Sequence, residues 1–200
     1  MITTIILDIG NVLVDFCWEE YLHSFGFEKE IEKRIAQATV LNGAWNEFDR
    51  GSKTEAELID DFVKNDPEIE TEIRCICEDI HDMIRIRDYA IPWVKELKAM
   101  GYQVYYLSNF SAKAERECAH ALGFLEYMDG GILSYKEKMI KPDSGIYKTL
   151  IERYDLIPEE CIFLDDLEAN CKAANAQGIR TIQFTTKESA VEELKKLGVY

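Results

Sequence analysis

Residues 2–8 read ITTIILD, a run of β-branched and aliphatic side chains that stops on a carboxylate. A run this short, with no polar face, suits a strand buried in a parallel sheet that is covered by helices on both sides. Similar runs follow at 103–107 (QVYYL), 131–134 (GILS), 161–164 (CIFL) and 181–184 (TIQF). Between them apolar residues recur at helical spacing. Trp93, Leu97 and Met100 lie between Pro92 and Gly101, Ile146, Leu150, Ile151 and Tyr154 form a second set, and Val191, Leu194 and Leu197 precede Gly198. Strands alternating with helices of this length predict an α/β fold with a doubly wound parallel sheet.

The exception is the stretch 16–87, which carries helical patterns and no convincing strand. Ser52 and Glu55 read as a capping box ahead of Leu58, Ile59, Phe62 and Val63. Asp66-Pro67 opens a helix whose apolar face is Ile69, Ile73, Ile76, Ile80 and Ile84. This divides the chain into a core, 1–15 and 88–200, and an all-helical insert, 16–87. The insert holds 18 acidic and 9 basic residues, so much of the negative charge sits there, read as a solvated outer face.

At 200 residues, with 47% hydrophobic and 30% charged residues, the composition is that of an ordinary globular chain. Lys and Arg number 23 against 38 Asp and Glu, a net charge of −15 with no basic cluster, which argues against nucleic acid and anionic membrane as partners. No apolar run is long enough to span a bilayer and no basic flank precedes the first one, so a cytoplasmic protein is expected. The 6 cysteines show no CxxC spacing and read as reduced, buried thiols. His23, His81 and His120 are not spaced as ligand pairs, so a histidine-built zinc site is not expected.

Two of the apolar runs end in carboxylates, Asp8 after Leu7 and Asp165-Asp166 after Leu164. In an open parallel sheet the ligand crevice lies beyond the carboxyl ends of the strands, where the winding reverses. If the first and fourth strands are neighbours, three carboxylates meet there and need protons or a hard cation to neutralise them. Oxygen donors without nearby His or Cys favour Mg²⁺. Ser108 and Asn109 follow another strand and offer a hydroxyl and N–H groups to an oxyanion; Lys141-Pro142 precedes a helix and offers a compact positive charge. Taken singly, Asp8 could cap a turn, Asp165-Asp166 and Ser108-Asn109 could cap helices, and Lys141 could be a surface lysine. Taken together at one sheet edge, they describe phosphoryl transfer.

The segments LDIGNVLVDF (7–16), LSNFS (107–111), IKPDSGIY (140–147) and FLDDLEAN (163–170) resemble, in order, the four motifs of the haloacid dehalogenase superfamily. The chain looks most like its small phosphatases with a helical C1-type cap after the first strand, including the α-D-glucose-1-phosphate phosphatase type. The resemblance implies a Rossmann-like three-layer core with strand order 5-4-1-2-3. It implies that Asp8 is the nucleophile forming an aspartyl phosphate, and that Mg²⁺ is held by Asp8, the Gly10 carbonyl, Asp165 and Asp166. It further implies that Ser108 and Asn109 bind the phosphoryl oxygens and that Lys141 offsets charge and orients Asp8. The substrate would be a small phosphorylated metabolite. One position departs from the pattern: most phosphatases of the superfamily carry a second aspartate, the general acid, where this chain has Gly10. A residue of the insert could supply the proton, with Asp49 and His23 as candidates. Alternatively the leaving group needs little help, as in a sugar 1-phosphate, or catalysis is weak. Arg50, in an apparent turn, either faces the pocket or lies in solvent. A 2-haloacid dehalogenase and a silent phosphate-binding module remain the alternatives.

Overall fold

A computed structural model describes residues 1–200. Its centre is a five-stranded parallel sheet of β1 (Thr4–Leu7), β4 (Gln103–Ser108), β5 (Gly130–Leu133), β6 (Cys161–Asp165) and β7 (Arg180–Gln183). The order across the sheet is β5-β4-β1-β6-β7. It differs from the expected order only through two further strands that precede β4 in the chain; within this sheet, the strands read 5-4-1-2-3 from the β7 edge. The first strand therefore lies between β4 and β6, with Leu7 beside Tyr106 on one side and Leu164 on the other.

Alternation along β1 explains why the run has no polar face. Ile5 and Leu7 pack with Trp93, Val94 and Leu97 of α6 (Ala90–Ala99) and Leu194 of α11 (Lys187–Lys196). Ile6 points the other way, to Ile146 and Leu150 of α9 (Ser144–Arg153) and Ala174 of α10 (Glu168–Asn175). Both faces are dry, so each strand residue gains burial whichever way it points.

The segment after β1 is mainly helical: α1 (Trp18–Ser24), α2 (Lys29–Ala38), α3 (Ala44–Arg50), α4 (Glu55–Asn65) and α5 (Glu70–Glu78). Three details differ from the sequence reading. The extra strands, β2 (Val14–Phe16) and β3 (Ile84–Ile86), pair antiparallel on either side of the helical segment. Ile84-Arg85-Ile86 alternates at period two, and Ile84 is thus a strand residue and not the last turn of α5. The capping box is Thr54 with Glu57: the Glu57 N–H donates to Thr54 Oγ1 at 3.3 Å and the Thr54 N–H donates to Glu57 Oε2 at 2.8 Å. Ser52 instead donates to Glu47 Oε2 at 2.7 Å, which ties the turn back to α3.

The helical segment does not stand apart. One continuous apolar cluster runs from Trp93 through Ile9 and Leu13 to Phe48, Phe62 and Ile73. All six cysteines are free thiols and five of them are buried; Cys75 is exposed. No helix is long and apolar enough to cross a membrane.

Candidate active site

The strand order and register bring the chain's scattered acids together. Asp8 directly follows β1 and its N–H donates to the Leu164 carbonyl at 2.9 Å, which sets it beside Asp165 at the end of β6. Asp8, Asp165 and Asp166 each offer a carboxylate oxygen within 4.8 Å of the others. Lys141 lies between two of them, its Nζ 2.8 Å from Asp8 Oδ1 and 2.6 Å from Asp165 Oδ2. All three of these side chains are buried.

Burial pushes the Asp8 carboxyl up, opposed by the Lys141 charge and reinforced by Asp165; hydrogen bonding from Lys141 and Ser108 pulls it back. Burial alone would lower the Lys141 ammonium, but Asp8 and Asp165 outweigh it and hold that group above the usual lysine value.

The two acids of the fourth motif differ in how much of each is free. Asp165 accepts from Lys141, from the Leu167 N–H at 2.8 Å, and from Asn170 Nδ2 at 3.0 Å on both oxygens, which uses its carboxylate fully. Asp166 accepts from Asn11 Nδ2 at 3.0 Å and lines a cleft of about 280 Å³. The oxygen-rich donor set and the residual negative charge suit a hard divalent cation.

Around this cluster the same cleft takes in Gly10, Ser108, Asn109 and Lys141. Asn109 has its amide committed: Nδ2 donates to the Lys141 carbonyl at 3.0 Å and Oδ1 accepts from the Lys141 N–H at 2.7 Å. Its side chain therefore positions the lysine, leaving its backbone N–H for an anion.

The roof is α3. Asp49 lines the cleft and is half-buried. Burial pushes that carboxyl up to about 7, with Lys141 lowering it and Asp8 raising it. His23 is outside the cleft, exposed and 3.0 Å from Glu32. Arg50 does not line it either; its guanidinium is 3.2 Å from both Glu47 and Asp143.

Core residues hold the roof down. Ser134, buried at the end of β5, donates to the Asp49 carbonyl at 2.6 Å and accepts from the Phe110 N–H at 2.8 Å. Lys138 donates to the Gly51 carbonyl. Ser134 escaped the sequence reading, although it too sits at a strand's carboxyl end. Gly51 closes α3 with φ 65° and lies against Tyr135 of α8 (Ser134–Glu137), where an added Cβ would come within 2.9 Å of the Tyr135 Cβ and 3.0 Å of its carbonyl oxygen. Gly51→Ala is expected to cost about 1–2 kcal/mol from the left-handed backbone alone, with a further loss from the Tyr135 collision. The urea midpoint measures it, and a midpoint equal to wild type would refute the close docking.

The comparisons with known proteins agree with this geometry. A model of haloacid dehalogenase-like hydrolases matches residues 2–178. The sesquiterpene phosphatase astK of Aspergillus oryzae is 25% identical over 96% of this chain and 94% of its own length. Acyl-CoA dehydrogenase family member 10 of Mus musculus is 28% identical over 96% of this chain, which spans only 19% of that protein. Among solved structures, a HAD family enzyme of Bacteroides thetaiotaomicron is 26% identical, with a TM-score of 0.74 covering 95% of this chain and 98% of that one. The same enzyme, in complex with magnesium and inorganic phosphate, gives a TM-score of 0.72. With most of the chain inside the family match, it belongs to the haloacid dehalogenase-like hydrolases.

Proposed function

We propose that this hydrolase is a Mg²⁺-dependent phosphatase acting on a small phosphorylated metabolite through an aspartyl phosphate on Asp8. One observation carries the reading: the Asp8–Lys141–Asp165 cluster, with Asp166 beside it, opens into a cleft that Asp49 also lines. The phosphatase relative and the magnesium–phosphate complex of the structural neighbour support it.

In this reading Asp8 attacks phosphorus while the bond to the ester oxygen breaks. Ser108 and the Asn109 N–H hold the phosphoryl oxygens, and Lys141 keeps Asp8 ionised and aimed. Asp8, the Gly10 carbonyl and Asp166 would hold Mg²⁺ directly, with Asp165 fixing the lysine. When bound, the ion supplies charge neutralisation at the phosphoryl group. The insert, 16–87, acts as a lid that keeps bulk water out.

Asp49 takes the role that Gly10 leaves open. A carboxyl near 7 is populated in both forms at neutral pH, as needed to protonate the departing alkoxide and then take a proton from the water that cleaves the aspartyl phosphate. With that donor present, the case for an anomeric leaving group weakens, and glucose 1-phosphate is no longer singled out.

Asp49→Asn is expected to slow hydrolysis of alkyl phosphates by about 10²–10⁴-fold, and far less for p-nitrophenyl phosphate, whose phenolate leaves unaided. Because the donor must be protonated, wild-type kcat/KM on alkyl esters should fall as pH rises through about 7. The variant should lack that limb. Equal losses on both ester types would assign Asp49 a structural role instead.

A further inference from the structure

The wall that faces the reacting cluster is where the organic part of an ester has to lie. It is formed by Phe16 of β2, Trp45 and Phe48 of α3, Met83 and Ile84 around the start of β3, and Phe110 after β4. The rings of Phe16 and Trp45 are 6.0 Å apart and those of Trp45 and Phe48 5.2 Å, so the aromatic surface is continuous.

Most amide and hydroxyl side chains of the same cleft are occupied. Asn11 donates to Asp166, Asn109 brackets the Lys141 backbone, Asn170 holds Asp165, and Ser111 caps α7 (Ala112–Glu117) by accepting from the Ala114 N–H at 3.1 Å. Lys141 is the one cation on the lining, and two carboxylates already flank it.

We infer that the substrate is a phosphomonoester of a compact apolar alcohol, aromatic or branched aliphatic; this rests on the phosphatase reading above. A sugar would press hydroxyls against aromatic rings with Asn46 as the one uncommitted amide on the lining, and hydroxyls desolvated without partners are penalised. A second phosphate or a carboxylate would meet no free cation. A cleft of about 280 Å³ lies at the lower end of small-molecule sites and limits the group to about one ring or a short branched chain.

The test uses the full chain with Mg²⁺ and follows phosphate release from phenyl phosphate, isopentenyl monophosphate, glucose 1-phosphate, glucose 6-phosphate and acetyl phosphate. Acetyl phosphate reports the chemistry with almost no organic group. The apolar esters should exceed both sugar phosphates in kcat/KM by at least about tenfold, a discrimination within reach of one apolar wall. Trp45→Ala and Phe16→Ser, both at half-buried positions, should each raise KM for the apolar esters by several-fold and narrow that preference. Acetyl phosphate hydrolysis together with sugar phosphates that match or exceed the apolar esters would overturn the inference while leaving the phosphatase reading intact. Release from none of the five would overturn both.

Discussion

Asp8→Asn is expected to abolish phosphate release, by at least ~10⁴-fold in kcat on every ester. The physical reason is narrow. An amide has the shape of the carboxylate but neither its charge nor its nucleophilicity, so no covalent intermediate forms. The change also leaves Lys141 paired with Asp165 at 2.6 Å, so no buried ammonium is stranded. It removes one of two like charges held in a dry volume, so the fold should lose little stability, within about 1 kcal/mol. Two measurements separate chemistry from collapse: the thermal midpoint of the variant, and acid quench of a turning-over sample followed by intact mass. The wild type should trap a phosphate adduct on the peptide containing Asp8, and the variant should trap none. A stable variant that keeps more than about a hundredth of the wild-type rate would assign the nucleophile elsewhere.

The parts of this site that were legible in the sequence are those that strand ends dictate. Asp8, Ser108 and Asp165 each sit at the carboxyl end of an apolar run, and once β1 is known to lie between β4 and β6 their convergence follows. Lys141 was legible as a residue but not in its partnership, because a contact between a loop and two strand ends has no periodic signature. The sequence places Asn109 at the phosphoryl oxygens, and its backbone N–H keeps that place in the proposed site while its side-chain amide is spent on the Lys141 backbone; an amide's partner cannot be read from its neighbours in sequence. The sequence offers Asp49 and His23 equally as proton donors, and the docking of α3 brings Asp49 alone into the cleft lining. That docking depends on Gly51 against Tyr135 and on Ser134 beneath Asp49, contacts between residues more than eighty positions apart. The error at Ile84 has a different source: isoleucines at 80 and 84 fit a helical face as well as a strand, and only pairing with Val14–Phe16 decides between them.

Lys141→Met should produce the largest loss of stability of any single change in the cluster, about 3–5 kcal/mol at neutral pH. Methionine nearly fills the volume, so the cost is electrostatic: Asp8 and Asp165 remain buried, close together and without their shared cation. At about 2–4 °C per kcal/mol for a chain of this size, the thermal midpoint should fall by roughly 10 °C. The pH dependence fixes the cause. Without the ammonium the Asp8 carboxyl, already held above its ordinary value by burial, is pushed further up, so the folded variant binds protons more readily than the unfolded chain. Its deficit should therefore shrink as pH falls through the acid range and the Asp8 carboxyl is neutralised. In the wild type the raised Lys141 value works in the opposite window, where its contribution is complete below the ordinary lysine value and is lost only as strongly alkaline pH removes the proton. Adding Asp165→Asn to Lys141→Met should restore part of the stability, because one stranded charge is gone, and Mg²⁺ should stabilise the single variant more than the wild type by neutralising Asp8. If the deficit is independent of pH and of the second substitution, Lys141 contributes through its packing and not its charge, and its assignment as the group that keeps Asp8 ionised fails.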